Sequence, residues 1–419
     1  MSLAPVPEPD DDLLQRFHEV AGPDAMGALE RLAARLRPHR LVMVNSTATG
    51  GGVAEILRRL VTLLQSLGVE TRWLVMPGDE AFFRITKNIH NALHGVAAEL
   101  TEADWAHFDA VTEHAAGTLD LDGDLILIHD PQPIGLIRHL KRPRSRWVWR
   151  CHIDLSVASR PVLDRLALDL PQYDAAIFSH QAFVPELDIP AFLVPPSIDP
   201  FSDKNRAMEP DEIRAHLEPL GLPRRVPLLT QVSRFDRLKD PLGVLEAFLL
   251  VRQQEAAHLV LAGGTADDDP EGREVLAEVR ERAGSREDVS ILDLPPDAHL
   301  TINALQRASS LVIQKSLREG FGLTVSEALW KQRAVVAGAV GGIPLQVLHD
   351  RTGMLVRSIP GCALQMTRLL RSPEQRRRLG RNGREHVRHN FLLPREARDY
   401  LAVFAWLERM TGAREPRVT

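Results

Sequence analysis

Short apolar runs alternate with longer amphipathic segments along the chain, in two successive halves. Short apolar runs are typical of strands buried in a parallel sheet, and apolar residues three or four apart are typical of helices that cover it. The first half contains the predicted strands 41–44, 71–75, 125–129, 147–150 and 175–179. The second half contains the predicted strands 228–232, 259–262, 290–292, 311–314 and 335–337. The pattern therefore predicts an α/β protein with two Rossmann-like, doubly wound domains.

Helical segments fill the intervals between the predicted strands. One covers residues 53–67 and ends before Gly68, a residue type that readily caps a helix C-terminus. The helices of the second half are predicted to begin near Pro241, Gly272, His299 and Thr324. A last helical pattern, residues 394–410, has an apolar stripe, so we expect it to pack against the rest of the chain.

The two halves are separated by residues 194–225, which are rich in proline and show neither period. We therefore predict a hinge linker and assign it to residues 201–225. The other predicted segments are an N-terminal extension 1–38, a first domain 39–200, a second domain 226–393 and a C-terminal helix 394–419 that packs back across the domains. Because parallel sheets bind ligands at the carboxyl ends of their strands, the two domains are expected to face a deep cleft.

Composition places the 419-residue chain among ordinary globular proteins, with 44% hydrophobic residues, 26% charged residues and a net charge of −5. These values exclude disordered, collagen-like and coiled-coil classes, and they argue against nucleic acid or an anionic membrane as partner. Cys151 and Cys362 are the only cysteines, which excludes a disulfide framework and favours the cytoplasm. The acidic, proline-rich N-terminus does not resemble a signal peptide, and no segment is predicted to span a membrane.

The first candidate motif, residues 45–53, lies between a predicted strand and a predicted helix and contains three consecutive glycines. Glycines let the backbone approach a ligand, and free amides at a helix N-terminus favour an anion or a hydroxyl-rich group. The spacing matches neither the dinucleotide fingerprint nor a Walker motif, which argues against a dinucleotide oxidoreductase. A merely tight turn is the alternative.

The second motif, residues 233–241, follows the first strand of the second half and precedes a helix that opens at Pro241. Arg234 and Lys239 form a cation pair that suits a diphosphate. Taken alone, the motif is weak, because charged side chains in loops are usually only solvated.

The third motif, residues 316–329, again joins a strand to a helix through a loop with glycines. The first amides of such a helix can hold phosphate oxygens. Glu319 precedes the helix and Glu327 lies inside it, so the two carboxylates bracket the loop and could accept hydrogen bonds from sugar hydroxyls. The alternative is that both are ordinary surface and helix residues.

A fourth group, residues 149–154, offers His152 and Asp154 for hydrogen bonds to a sugar or for proton transfer, although such a pair is more often structural.

Three other features are not interpreted as functional sites. The acidic run 267–269 is interpreted as a solvated turn, and the arginines of residues 376–388 as a solvated helical face. Cys151 is not expected to be a nucleophile merely because it precedes His152.

The second half resembles the retaining family-four glycosyltransferases, which have the GT-B fold. The resemblance lies in Arg234 with Lys239 and in residues 319–322 followed by Glu327, because two carboxylates eight positions apart are typical of that family. Together with the resemblance of the first half, it covers about residues 41–400.

The first half resembles a narrower group, the trehalose glycosyltransferring synthases and the related retaining trehalose phosphorylases. The resemblance lies in residues 45–57, 86–91 and 149–154, which differ in other family-four enzymes.

The second half departs from the family pattern at Gln332 and Ala334, where the family usually has glycine and proline. These residues lie in a turn, so the departure has little bearing on the chemistry.

The resemblance implies a role for each candidate residue. Arg234 and Lys239 neutralise the donor diphosphate, Glu319 contacts the transferred glucose and His152 lies near its C6 hydroxyl. On the donor side, amides near Gly322 hold a phosphate, Glu327 takes the ribose hydroxyls and Leu294 lines the nucleobase pocket. All implied donor-binding residues are Gly51, Gly52, Gly320, Phe321, Gly322, Leu323, Thr324, Glu327 and Leu294. The candidate acceptor-binding residues are Asn45, Lys87, His90, Asn91 and Asp154.

The reaction implied by the resemblance is reversible transfer of glucose from an NDP-glucose, such as ADP- or UDP-glucose, to glucose, which gives trehalose with retained configuration. No metal and no cofactor are expected, because cations and helix amides stabilise the leaving diphosphate. The alternatives are a retaining trehalose phosphorylase, which converts trehalose and phosphate into glucose and glucose 1-phosphate, another retaining hexosyltransferase, and a non-catalytic sugar-binding protein. A homodimer is expected because the family tends to dimerise.

Overall fold

The structure is a computed structural model that describes residue 4 and residues 12–48, 52–140, 144–264 and 270–412. The chain divides into two units. The first consists of residues 1–196 and 393–419, and the second of residues 197–392. The polypeptide therefore leaves the first unit once and returns to it at its C-terminal end.

The first unit is built on a parallel sheet that has six strands among the described residues, in the order β2-β1-β3-β4-β5-β6. These strands are β1 (Leu41–Asn45), β2 (Thr71–Val75), β3 (Leu125–His129), β4 (Arg146–Arg150), β5 (Ala175–Phe178) and β6 (Ala191–Leu193). Its helices include α1 (Leu13–Ala21), α2 (Pro23–Leu36), α3 (Gly52–Ser66), α4 (Glu80–Leu93), α5 (Glu102–Thr118), α6 (Ile137–Leu140), α7 (Arg160–Ala167) and, from the end of the chain, α16 (Leu393–Gly412).

Strand alternation divides the core of the first unit between two helical layers. Val42, Val44 and Trp149 lie in one apolar cluster with Phe82 of α4 and Phe108 of α5. Because neighbouring strand residues point to opposite faces, the intervening residues of β1 and β4 face the other layer. In that layer α16 packs against α2 and α3.

The second unit is built on a parallel sheet that also has six strands among the described residues, in the order β12-β11-β10-β7-β8-β9. These strands are β7 (Leu228–Val232), β8 (His258–Gly263), β9 (Val289–Asp293), β10 (Leu311–Gln314), β11 (Ala334–Gly338) and β12 (Met354–Val356). Its helices include α8 (Pro210–Leu217), α9 (Pro241–Val251), α10 (Pro270–Ala283), α11 (His299–Ala308), α12 (Leu323–Trp330), α13 (Ile343–Gln346), α14 (Ile359–Arg371) and α15 (Pro373–Asn390).

The ten predicted strands are all present within one or two residues of their predicted ends, and they form two doubly wound sheets as predicted. The sequence pattern did not reveal β6 and β12, because each is a three-residue strand at the edge of its sheet. It also did not reveal α8, which lies in the interval predicted to lack regular structure. None of the side chains of α8 is fully buried, so the helix has no apolar stripe to recognise.

Polar side chains attach the segment before α8 to the second unit. Asn303 Nδ2 donates to the carbonyl of Asp203 at 2.8 Å, and Arg307 Nη2 donates to the carbonyl of Arg206 at 2.7 Å. The predicted linker 201–225 thus belongs to the second unit, while the C-terminal helical segment belongs to the first.

In the second unit the loop after β11 crosses the loop after β10 at a glycine. Gly341 has a φ of 52°, and a Cβ atom placed on it would lie 1.6 Å from the carbonyl oxygen of Glu319. Beside it the amide of Gly342 donates to the carbonyl of Gly320 at 3.1 Å. A side chain at Gly341 cannot fit unless the backbone of residues 319–320 moves.

We predict that Gly341→Ala destabilises the protein much more than Gly221→Ala. Gly221 also has a positive φ, of 62°, but no atom lies within 4 Å of a Cβ placed there. Both substitutions carry the strain of a left-handed alanine, roughly 1–2 kcal/mol, and only Gly341→Ala adds a backbone clash, for a further loss of about 2 kcal/mol or more. Urea denaturation of the two variants measures the free energy of unfolding of each. Equal losses of unfolding free energy would contradict the close backbone contact at Gly341.

Candidate functional site

Each sheet has one place where successive strands of the chain stop being added on one side of the starting strand and are added on its other side. The candidate motifs follow strands at these two places. In the second unit β7 pairs with β8 on one side and with β10 on the other. In the first unit β1 pairs with β2 on one side and with β3 on the other. Loops that leave the carboxyl ends of such strands diverge, which opens a crevice for a ligand. The second and third motifs follow β7 and β10, and the first motif follows β1.

An ion pair joins the two loops of the second unit. Lys239 ends a 3₁₀ turn after β7, and its Nζ lies 2.7 Å from Oε2 of Glu319, in the loop after β10. Ser316 Oγ donates to the same carboxylate oxygen at 3.3 Å. The amide of Leu317 also donates to the carbonyl of Leu238 at 2.8 Å. Side chains that are 80 positions apart in sequence are thereby fixed together.

The remaining charges at this crevice also alternate in sign. The Arg234 guanidinium is 61% exposed and lies 3.4 Å from Asp236, whose carboxylate also accepts from the amide of Leu238 at 2.7 Å. Asp240 accepts from the amide of Gly243 at the start of α9 and forms an ion pair with the buried Lys315. The carboxylates are thus tied to backbone amides, while Arg234 extends towards solvent.

The loop after β10 ends at the N-terminus of α12. Gly322 is the N-cap residue, with a φ of 80°, and it contributes no side chain that could cap the first amides of Leu323 and Thr324. Phe321 is buried, with its ring centroid 5.5 Å from that of Phe391, and it anchors the loop between Gly320 and Gly322. The amides and the helix dipole at this end favour a bound anion.

Glu327 is buried within α12, and a buried lysine follows it by one turn. Nζ of Lys331 donates to the carbonyl of Glu327 at 3.1 Å and to Oδ1 of Asn205 at 3.0 Å. Burial lowers the pKa of Lys331 to about 7, and the Glu327 carboxylate opposes that shift. Lys331 therefore holds the C-terminal end of α12 against the segment that opens the second unit.

Leu294 lies directly after β9, at the same edge of the sheet as the loop after β8. Its amide donates to the carbonyl of Gly263 at 2.7 Å, and its side chain packs beside a cluster that contains Ala262 and Leu305. The position offers an apolar surface near the crevice but does not by itself identify a nucleobase.

In the first unit the structure gives Asn45 a local role. Its Oδ1 accepts from Nε1 of Trp73 at 2.8 Å, and its Nδ2 donates to the carbonyl of Thr47 at 2.7 Å. The side chain therefore shapes the start of the glycine loop. Gly52 is the exposed first residue of α3, and Gly51 lies outside the described residues.

His152 lies in a pair of histidines at the ends of β3 and β4. Nδ1 of His129 lies 3.1 Å from Nε2 of His152, and the rings are stacked with centroids 5.4 Å apart. Burial, together with the nearby Arg150 cation, lowers the pKa of His129 to about 3 and holds the pKa of His152 well below its usual range. Both rings are therefore neutral near pH 7.

Asp130 connects this pair to the backbone, and sequence reasoning missed both it and His129. The residue has a φ of 65°, and its Oδ1 accepts from the amide of His152 at 2.9 Å. Burial raises the pKa of Asp130 to about 6. The available signal was a polar pair at the end of the predicted strand 125–129, similar to the signal that identified residues 149–154.

The other acceptor candidates lie on separate elements. Lys87, His90 and Asn91 share one face of α4, since they are spaced three and four positions apart, and Lys87 and His90 are exposed. Asp154 is buried and accepts from the amide of Ser156 at 2.9 Å, which shapes the loop after His152.

The remaining expectations concern metal ligands, membrane-spanning helices, the Cys151 thiol and the acidic run. Within the described ranges, no group of three His, Cys, Asp or Glu side chains could hold a metal ion. No helix in that part of the chain is long and apolar enough to cross a membrane. Burial raises the pKa of the Cys151 thiol, which disfavours the thiolate. The discounted acidic run 267–269 lies outside the described residues.

Comparison with known proteins gives matches over both units. A family model for the trehalose synthase N-terminal domain matches residues 43–185, and a model for glycosyl transferases group 1 matches residues 212–386. The trehalose phosphorylase of Pleurotus pulmonarius is 31% identical over 82% of this chain and 54% of its own length.

Structural comparison supports the same fold. The sucrose-phosphate synthase of Thermosynechococcus elongatus superposes with a TM-score of 0.68 at 19% identity, covering 89% of this chain and 99% of its own. The predicted GT-B fold is confirmed. The trehalose synthase of Rubrobacter xylanophilus is 42% identical over 95% of this chain and 98% of its own, a likeness far beyond a shared fold. With the two family models, it shows that the chain is a glycosyltransferase of the trehalose synthase family.

Proposed function

We propose that this enzyme transfers glucose from an NDP-glucose to glucose and forms trehalose with retention of the α configuration. The observation that carries the proposal is the Lys239–Glu319 ion pair beside Arg234 and the N-terminus of α12. This arrangement combines cations and helix amides, which suit a diphosphate, with a fixed carboxylate, which suits sugar hydroxyls.

The donor half of the proposal uses the second unit. Arg234 and Lys239 neutralise the diphosphate, and the amides of residues 322–324 hold its distal phosphate. Glu327 accepts from the ribose hydroxyls and Glu319 from hydroxyls of the transferred glucose. Because Glu319 is already bound to Lys239 and Ser316, its carboxylate is oriented for hydrogen bonding.

In this proposal the configuration is retained because the acceptor hydroxyl attacks C1 of the glucose on the same face from which the diphosphate leaves. Glu319 acts as a hydrogen-bond acceptor in this proposal, not as a nucleophile, so C1 passes through an oxocarbenium-like state. The departing diphosphate takes the proton of the attacking hydroxyl while the cations stabilise its growing charge. The chemistry rests on electrostatic stabilisation of the leaving group.

The acceptor half uses the first unit. The polar face of α4 with Lys87, His90 and Asn91 selects the acceptor glucose. The neutral His152 ring, also in this unit, hydrogen-bonds the C6 hydroxyl of the transferred glucose. Sugars are neutral ligands, and a site whose histidines are held uncharged suits them better than a cationic site would.

A second candidate function is the phosphorolysis of trehalose, which the likeness to the Pleurotus phosphorylase favours. The same cations would then hold inorganic phosphate. Incubation of the purified enzyme with glucose and ADP-, UDP- or GDP-glucose, and separately with trehalose and phosphate, distinguishes the two. Trehalose formed only in the first set supports the synthase, and glucose 1-phosphate formed in the second supports the phosphorylase.

We predict that Lys239→Ala and Arg234→Ala each lose most transfer activity while the protein stays folded. Loss of about 3 kcal/mol of transition-state stabilisation corresponds to a rate lower by on the order of a hundredfold. Arg237→Ala is the matched control, because Arg237 lies in the same loop but pairs with Glu278 at 2.6 Å. Initial rates of trehalose formation with saturating donor provide the measurement.

Near-wild-type rates in both Lys239→Ala and Arg234→Ala would remove the diphosphate role from the proposal. A loss of similar size in Arg237→Ala would mean that the loop needs positive charge in general.

We predict that His90→Ala and Asn91→Ala raise the Michaelis constant for glucose and leave slow hydrolysis of the donor nearly intact. A buried hydroxyl that loses its partner costs roughly 1–3 kcal/mol, which is about five- to 150-fold in affinity. His114→Ala is the control, since His114 is an exposed histidine on the neighbouring α5. Equal losses of hydrolysis and transfer would contradict an acceptor role for α4.

A further inference from the structure

A fully buried arginine lies directly before the His152 loop. Arg150 is the last residue of β4 and has no exposed surface. Trp149 packs into the cluster with α4 and α5, so Arg150 faces the opposite layer, where α16 packs against α2 and α3. A guanidinium in such a place needs nearby polar or charged partners, because an isolated charge away from water is very costly.

The hydrogen bonds of Arg150 within its own sheet satisfy only part of the side chain. Nη2 donates to Oγ of Ser179 at 3.1 Å. Nε and Nη1 are buried and have no hydrogen-bond partner among the described residues. A buried cation needs negative charge nearby, and the Asp130 carboxylate interacts with it electrostatically.

Further polar groups on this side come from α16. Glu396 and Tyr400 lie one turn apart and are both fully buried, and the Tyr400 hydroxyl donates to Oε1 of Glu396 at 3.2 Å. Burial raises the pKa of Tyr400, the Arg150 cation opposes that shift and the Glu396 carboxylate adds to it. Tyr400 therefore interacts with both the Arg150 cation and the Glu396 carboxylate.

The same arginine is connected to the histidine pair on its other side. The Arg150 carbonyl accepts from the amide of Asp130 at 2.8 Å, and the Asp130 carboxylate accepts from the amide of His152 at 2.9 Å. The titratable groups that interact with His152 are His129, Asp130 and Arg150, and Cys151 and Asp154 lie within two positions of it in the same loop. Of these, the Arg150 guanidinium is the group whose positive charge opposes a charged imidazole.

We propose that Arg150, Glu396 and Tyr400 are positioning residues for the transfer reaction, through which α16 fixes the His152 loop. Glu396 and Tyr400 hold the guanidinium, and the guanidinium holds the end of β4 and the neighbouring Asp130 loop. Its charge adds to the effect of burial in keeping His152 uncharged, so that the ring can both donate and accept a hydrogen bond. The proposal rests on the proposed function in that His152 contacts a substrate sugar.

The chain offers a matched pair of variants, because it contains two tyrosines and both are fully or almost fully buried in the first unit. The Tyr173 hydroxyl donates to the carbonyl of Ile134 at 2.6 Å, away from Arg150. Tyr173→Phe and Tyr400→Phe each delete one buried hydroxyl. We expect Tyr400→Phe to lower kcat about tenfold with little change in the KM for donor, because misplacement of a contact group slows the reaction. Tyr173→Phe should change kcat less than about twofold.

A second measurement does not depend on activity. The double variant Arg150→Gln with Glu396→Gln removes both buried charges, so neither is left uncompensated. In protein with 13C-labelled histidine, the His152 signal, assigned by its loss in His152→Gln, should titrate at least about one pH unit higher in the double variant than in the wild type. The acid limb of the kcat profile should move in the same direction. Circular dichroism checks that the variants are folded.

The outcomes separate the two proposals. If the wild type forms no trehalose from any NDP-glucose, the proposed function fails, and the histidine titration still decides the role of Arg150. An unchanged His152 titration in the double variant overturns the electrostatic role. Equal kcat values for Tyr400→Phe and Tyr173→Phe overturn the positioning role, and this comparison stands even if the double variant does not fold.

Discussion

A parallel sheet that grows first on one side of its starting strand and then on the other leaves one place where adjacent loops diverge. In the second unit that place lies between β7 and β10, and in the first between β1 and β3. Only there can backbone amides and side chains from distant parts of the chain surround a ligand without unpairing a strand. The Lys239–Glu319 pair and the N-terminus of α12 follow from this constraint. In the first unit, His129 lies at the end of β3, beside the same kind of place.

The two units use charge in opposite ways. The crevice of the second unit collects ionised groups, with Lys239 paired to Glu319 and Lys315 paired to Asp240. At the ends of β3 and β4 in the first unit, burial instead holds the rings of His129 and His152 neutral. This contrast agrees with the proposed substrates, a donor that carries a diphosphate and an acceptor that is an uncharged sugar.

What the sequence predicts depends on how local the signal is. Strands such as β3 are short apolar runs, and Arg234, Glu319 and His152 follow such runs directly, so their place at the sheet edge was predictable. The pairing of Lys239 with Glu319 was not, since it depends on which strands are neighbours. Nor could the sequence reveal that Tyr400 interacts with Arg150, because the chain passes through a whole second unit before it returns.

Net charge alone cannot explain how the second unit would bind a diphosphate. The cations Arg234, Lys239 and Lys315 are matched in number by Asp236, Asp240 and Glu319, so their formal charges cancel. The difference lies in hydrogen-bonding capacity. Asp236 and Asp240 already accept from backbone amides, whereas a guanidinium has five donors and an ammonium three, more than one carboxylate can use. With the amides at the start of α12, the crevice is rich in donors although it is neutral overall, and oxygens of a diphosphate are the acceptors that such a surface requires.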